Sequence, residues 1–344
     1  MSNVNALVKN VGLPRIIIAM FLLLMFCAGP FFGIPTDTSV DDVLVRFGMN
    51  GVLVLSMIPM IQSGCGLNFG VPVGVVAGAL GAVLSLELNL TGPLGILVAI
   101  IFGLFFGAVF GFGYGLILNR VKGDEMIIAT YVGFSMTYFM CMMWISLPFQ
   151  NPSSLTGYGG EGLRVTISVQ DYWGGQLSEL LKIPISSHLV IPTGMLLFFA
   201  LMCFLMWGFF KTKVGTAITA VGSNPEFARA SGISVDKMRL ISVVVSTMVA
   251  AVGIIVYEQS FGFIQLYDAP RAFAFPSVAA ILLGGASINK ANITNVIVGT
   301  ILFQGMLTLT PAVINSAIQI DASEMVRIIV SNGMIVYALT RKAR

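Results

Sequence analysis

The sequence predicts an all-α polytopic membrane protein that threads a bilayer about ten times. Three observations predict it: 57% of the 344 residues are hydrophobic, only 10% are charged, and the apolar residues fall into runs long enough to cross hydrocarbon. An average soluble domain carries roughly a quarter charged residues, so this chain has too little polar surface to cover a water-soluble globule of its length. The formal net charge is +3. Lys and Arg occur in short clusters at segment ends, without the long basic run of a nucleic-acid surface, so lipid is the expected surrounding and nucleic acid is excluded as a partner.

A helix needs about 20 apolar residues to cross about 30 Å of hydrocarbon. Segments of that order lie near 15–33, 47–63, 94–118, 126–147, 188–210, 239–262, 292–313 and 325–340. Two weaker segments complete the count. One is 67–86, opened by the Gly-rich stretch 66–74; the other is 275–289, a short Ala/Leu/Gly run expected to enter and bend before it crosses. Lys9 and Arg15 precede the first segment, and Gly and Pro follow it without a small-residue cleavage site, so a retained first span is expected.

Ten spans put both termini on one side, and basic residues say which. With cytoplasmic termini, Arg46, Arg164, Lys182, Arg271 and Arg327 are the only five of the 18 Lys and Arg residues left outside. Acidic residues run the other way, with Asp37, Asp41, Asp42, Glu161, Asp171, Glu179, Asp268, Asp321 and Glu324 on the outer side. The longest outer stretch, 148–187, carries the turn formers Pro148, Pro152, Gly157, Gly159 and Gly160. An amphipathic piece around Trp173–Leu181 follows and is expected to lie along the outer surface. The longest inner stretch is 211–238. The whole chain, 1–344, reads as a single transmembrane domain.

Several chemistries are poorly served. Cys27, Cys65, Cys141 and Cys203 sit in apolar stretches without CxxC spacing. The single histidine, His188, opens an apolar run. No paired carboxylates or Ser/His arrangement equips a membrane enzyme. An ion-coupled secondary transporter normally carries acidic or His side chains inside its spans, whereas Glu87 and Glu258 fall near outer span ends.

Two segments stand out. The stretch 64–74 places Gly66, Asn68, Phe69, Gly70, Pro72 and Gly74 at membrane depth, where exposed peptide groups cost several kcal/mol each. Broken backbone there fits a broken or re-entrant element beside a translocation path; close packing through small residues is the competing account. Glycines recur at Gly103, Gly107, Gly111, Gly113 and Gly115, a four-residue ladder down one face followed by an odd pair, which helix packing explains. In 211–238, Asn224 is placed to cap a short helix over 224–232, Pro225 suits its first position, Glu226 meets the positive dipole end and Gly232 supplies a left-handed stop. Ser234 offers a second cap. An ordinary well-capped loop accounts for these features equally well.

The order Gly215, Ala220-Val-Gly222-x-Asn224-Pro225-Glu226-x-Ala228-Arg229-x-x-Gly232-Ile233 is similar to the coupling segment of ABC importer permeases of the branched-chain amino acid and ribose (simple sugar) transport family, a likeness extending over roughly residues 45–340. The resemblance implies that 224–233 docks in a groove of a separate ATPase subunit, with Glu226 and Arg229 as polar contacts. This chain carries no GxxxxGK[ST] phosphate loop. ATP and Mg are accordingly expected on the partner ATPase, with no cofactor on this chain.

The resemblance further implies a second permease copy or paralogue, a bacterial inner-membrane location and an extracytoplasmic solute-binding protein. Asp37, Asp41, Asp42, Asp268 and Arg271 are candidate contacts for that binding protein. Ribose-type relatives carry Gly-Ile-Asp-Leu-Ser-Val-Gly where this chain has Asn68 for the acid, Gly70 for Ser and Pro72 for the last Gly. A second element, Ile281-Leu-Leu-Gly284-Gly285, resembles the family's late Gly-Gly span. The solute expected from overall likeness is a simple sugar. Asn68-Phe69-Gly70 is closer to nucleoside and branched-chain amino acid members.

Overall fold

The computed structural model describes residues 13–155, 162–184, 190–318 and 323–340. Lys9, Gly157, Gly159, Gly160, Glu161, His188, Asp321 and both chain ends lie outside the described residues.

The chain is a bundle of helices. In order they are α1 (Leu13–Ala28), α2 (Thr36–Leu55), α3 (Met57–Gln62), α4 (Val71–Glu87), α5 (Gly92–Arg120), α6 (Glu125–Ser146), α7 (Gln176–Glu179), α8 (Thr193–Lys211), α9 (Lys213–Ser223), α10 (Pro225–Ala230), α11 (Val235–Phe261), α12 (Ala274–Leu283), α13 (Ile293–Ile318) and α14 (Ser323–Thr340). Among the described residues seven helical stretches are long and apolar enough to cross a membrane, and three shorter apolar ones (Val71–Glu87, Ala269–Leu283, Met325–Val336) bring the apolar segments to the ten that hydropathy predicts.

The weak segment near 275–289 is shorter than predicted. Its helix stops at Leu283, and Gly285 at φ +90° turns the chain toward α13. The remainder of that crossing is a 3-10 turn, Ala269–Phe273, entered from the strand Phe263–Gln265. Pro270 fixes the start of this irregular piece.

Packing is organised by α4, α5 and α11. Lipid chains are as apolar as leucine, so helices associate where small residues let backbones approach. The α5 ladder does this: a Cβ added at Gly107 would lie 3.0 Å from the Met248 Cα, and one at Gly111 2.9 Å from the Thr247 Cβ. Gly74 and Gly78 of α4 press on Ala250 and Ala251 of the same α11 face. Gly113, the odd member of the series, faces open space. The outward stripe of α5 (Leu97, Ile101, Phe105, Val109, Phe112) is exposed and wholly apolar, as a lipid-facing surface requires.

The outer stretch is folded inward more than its amphipathic pattern predicts. Only Gln176–Glu179 is helical, and Trp173 is fully buried, its indole against Gly95 at the start of α5. Gln259 near the end of α11 holds this piece by accepting from the backbone N–H groups of Gly175 (2.7 Å) and Leu177 (3.1 Å). The strand Thr166–Ser168 pairs antiparallel with Phe263–Gln265. Glu87 clamps the loop after α6, taking N–H donors from Gln150 and Asn151 at 2.8 and 3.0 Å. Asp37, Asp41 and Asp42, expected on a loop, stand on the first turns of α2.

Replacing Gly78 by Leu drives a side chain into Ile254 and Ala251 and is expected to destabilise the bundle by about 1–3 kcal/mol or more. Gly113→Leu, into open space, is expected to be neutral. Thermal unfolding of both variants in detergent checks this, and equal melting temperatures would refute the packing account.

Candidate coupling site and the broken helices it touches

The segment between α8 and α11 is punctuated as its sequence predicts. Thr212 caps α9, its Oγ1 accepting from the Gly215 N–H at 3.2 Å. Asn224 caps α10 through Oδ1, which accepts from the Phe227 N–H at 3.0 Å, and Pro225 holds the first helical position. Gly232, at φ +80°, ends the turn, and its N–H reaches the Arg229 carbonyl. Ser234 occupies the N-cap of α11 but contributes only its backbone carbonyl, with no side-chain cap bond.

Ile218, Val221, Ala228, Val235 and Met238 form a small core separate from the main one, with Ile233 packed against it. That separate core makes α9, α10 and the start of α11 one packed unit. Its outer face carries Phe227, 67% exposed, beside Glu226 and Arg229, which pair with each other at 2.9 Å across one turn. Sequence reasoning named the two charges and missed Phe227, whose signal was an aromatic residue between a cap and a buried alanine.

The inner side of this unit meets the broken element. Gly222 sits against the Gln62 carbonyl so closely that a Cβ there would overlap it, and a Cβ at Gly64 would lie 3.2 Å from the Gly222 Cα. Gln62 ends α3 and donates through Nε2 to the Ala291 carbonyl at 2.6 Å, on the loop after the Gly284-Gly285 turn. One residue therefore touches the candidate coupling unit through its backbone and the second Gly-rich element through its side chain. Gly64 and Gly66 take φ of +75° and +79°, which glycine alone adopts without strain.

Asn68 lies at the centre of the break and is 1% exposed. Its Oδ1 accepts from the Gly70 N–H (2.9 Å) and the Tyr114 hydroxyl (3.0 Å), and its Nδ2 donates to Ser246 Oγ (2.8 Å). Gly70 lies under the Tyr114 ring, Gly66 beside Met126, and Phe69 against the Phe275 ring at 5.4 Å. Gly66, Asn68, Phe69, Gly70 and Gly74 are all buried. Gly284 packs on the Asn295 backbone, whose side chain donates to the Gly284 carbonyl at 2.8 Å, and the Arg15 guanidinium lies across Gly285. Gly66, Gly70, Gly74 and Gly284 are buried against protein, and Gly64 and Gly285 are half-buried.

An ion pair spans the same region. Arg239, one turn into α11, meets Glu125 at the start of α6 at 2.6 Å, with side-chain exposures of only 12% and 13%. The same guanidinium donates to the Gly64 carbonyl at 3.3 Å. Ser242 donates to Ser63 Oγ at 2.7 Å. Sequence reading counted Arg239 only as an inner-side charge and gave Glu125 no role; a pair separated by more than a hundred residues has no local signature. Groups of three or more His, Cys, Asp or Glu placed to hold a metal ion are absent among the described residues.

Residues 39–339 match the family described as branched-chain amino acid transport system / permease component, and the chain belongs to that family. It is similar to the nucleoside ABC transporter permease protein NupB of Lactococcus lactis subsp. cremoris (strain MG1363), 33% identical over 113 residues, which are 32% of this chain and 29% of that protein. It is also similar to the autoinducer 2 import system permease protein LsrC of Photorhabdus laumondii subsp. laumondii, 30% identical over 119 residues, covering 35% and 34% of the two chains. The matched stretches thus span about a third of these relatives' lengths. Among solved structures it is similar to PsaBC of Streptococcus pneumoniae in complex with Fab, at 16% identity and a TM-score of 0.45, covering 88% of this chain and 91% of that one.

Removing one partner of a nearly buried ion pair leaves an uncompensated charge and costs about 3–5 kcal/mol. Glu125→Gln and Arg239→Met are each expected to lower the melting temperature in detergent, and the swap Glu125→Arg with Arg239→Glu to recover much of the loss. Single variants that melt like wild type would show the pair to be ornamental.

Proposed function

We propose that this chain is the membrane subunit of an ATP-driven importer, inserted in a bacterial inner membrane with cytoplasmic termini. It hands a small polar solute from an extracytoplasmic binding protein to the cytoplasm. ATP and Mg are held by a partner ATPase that docks on 224–233, and a second permease, identical or related, completes the path. Family membership supports the reading, and one observation carries it: a capped unit with its own core, exposing Phe227, Glu226 and Arg229, rests through Gly222 on Gln62 at the broken helix.

In this proposal the partner grips the α10 face with Phe227 as the apolar anchor, since exposed aromatic side chains dominate interface energetics. Closure of the ATPase displaces the unit as a body. Gly222 carries the displacement to Gln62, and Gln62 passes it to the break at 63–70 and to the loop at Ala291. The positions Gly66, Asn68, Phe69, Gly70, Gly74 and Gly284, all buried, and the half-buried Gly285 are then the moving wall beside the path. A binding protein supplies most of the selectivity, and a simple sugar is the first choice of solute. A nucleoside is the second reading, favoured by Asn68-Phe69-Gly70 and by the similarity to a nucleoside permease.

Reconstitution of the chain with its co-encoded ATPase, binding protein and any second permease tests this. Phe227→Ala combined with Glu226→Ala and Arg229→Ala is expected to lower permease-dependent ATP hydrolysis at least tenfold. Gly222→Val, which props the unit away from Gln62, is expected to keep the ATPase bound while cutting solute uptake per ATP at least tenfold. Uptake driven by a proton or sodium gradient without any ATPase would replace the proposal with a secondary transporter.

A further inference from the structure

The outward face of α6 differs from its lipid-facing neighbours. Where the outward stripe of α5 from Leu97 to Phe112 is apolar, α6 exposes Tyr131, Ser135 and Tyr138 along one stripe at i, i+4 and i+7. Tyr131 is 65% exposed and Tyr138 52%. At about 1.5 Å per residue, Tyr138 stands about 20 Å from the Glu125 end of a helix about 33 Å long, so its hydroxyl lies within the hydrocarbon depth.

Charges meet it there. The Arg271 guanidinium lies 5.0 Å from the Tyr138 ring centre and 5.7 Å from that of Phe134. Arg271 donates to the Tyr138 hydroxyl and pairs with Asp268, whose side chain is 71% exposed. Asp268 and Arg271, read from the sequence as candidate contacts for a binding protein, are carried by the irregular piece 263–273 to the Tyr138 face of α6. Ionisable and phenolic groups at this depth face protein or a water-filled cavity, since lipid contact is costly. Among the described residues nothing covers the exposed parts of Tyr138 and Asp268.

We infer that Tyr131, Ser135, Tyr138, Phe134, Asp268 and Arg271 form a solute-contact wall of the translocation path, suited to a neutral, hydroxyl-bearing ring such as a furanose, pyranose or nucleoside. This rests on the importer reading and narrows its solute class. Aromatic faces accept the apolar face of a sugar or a base. The Tyr138 hydroxyl and the outward Asp268 carboxylate offer partners to ring hydroxyls, and the planar Arg271 fork is held between two rings. Arg271 and Asp268 neutralise each other, so a zwitterionic amino acid would have to break their pair to bind, whereas a neutral polyol would not.

The test uses the full chain in proteoliposomes, its four native cysteines replaced and one cysteine placed by Tyr138→Cys or, as a lipid-facing control, Phe105→Cys. A water-soluble maleimide is expected to label position 138 and spare 105, and ribose or inosine to slow labelling at 138 at least fivefold, whereas leucine does not. In the complete transporter, Asp268→Asn and Tyr138→Phe are expected to raise the uptake KM at least tenfold, and the lipid-facing control Phe105→Leu to leave it unchanged. Absence of labelling at 138 would make the face lipid-covered, and labelling that only assembly with a second permease blocks would make it an interface between permeases. Either result, no protection by both probes, or an unchanged KM overturns the wall. A wild-type chain that elicits no ATP hydrolysis refutes the importer reading instead, and leaves the labelling result standing by itself.

Discussion

Inside hydrocarbon, peptide N–H and C=O groups find no water, so an interruption in a membrane helix survives only where protein takes over their hydrogen bonds. The break at 63–70 meets that requirement through Asn68. Its amide oxygen takes the Gly70 N–H and the Tyr114 hydroxyl, its nitrogen gives to Ser246, and Ser246 in turn donates to the Ser56 carbonyl at 2.6 Å. One side chain thus ties the break to α5, to α11 and to the end of α2. Much else follows from seating that amide. Gly70 must lack a side chain for the Tyr114 ring to lie over it, and Gly74 must lack one for α4 to reach Ala250 and Thr247. The close triple contact of α4, α5 and α11 is the continuation of the same arrangement.

In the proposed mechanism a rigid core of this kind carries a small movement at the membrane surface to the interior. The unit built by α9, α10 and the start of α11 has its own apolar core, so the proposed mechanism treats it as one body. It contacts the break through backbone at Gly222, Gln62 and Gly64. Backbone contacts transmit displacement with little loss, because no rotamer is free to absorb it. The Arg239–Glu125 pair joins α11 to α6 and reaches the Gly64 carbonyl, so separation of these helices must break a nearly buried ion pair.

Much of this was legible in the sequence, and what was legible was local. Cap, proline, acid and glycine within ten residues specify α10 because each acts on its nearest neighbours, and the structure keeps every one of them. Gly103, Gly107, Gly111 and Gly115 announced a packing face because helical periodicity alone brings them together. Contacts between distant segments left no mark: nothing near Gln62 says that its side chain will meet Ala291, and nothing near Trp173 says that the amphipathic piece will turn inward. Hydropathy also overstated the segment after 275, since it counts apolar residues and is blind to Gly285 at a positive φ.

The polar groups of the helix bundle divide by direction, and the division separates groups that hold the chain together from groups that face outward. Asn68, Ser246, Ser63, Ser242, Arg239 and Glu125 point at one another, and their hydrogen bonds are made within the chain. A solute could reach them only by breaking bonds that hold the break together, each worth about 1 kcal/mol or more and costlier to leave unmade. Tyr138 and Asp268 also bond within the chain, but each leaves about half or more of its surface outward. Substitution at the first set therefore acts through stability and coupling. Substitution at the second acts on what the outward face meets, and that asymmetry follows from burial alone.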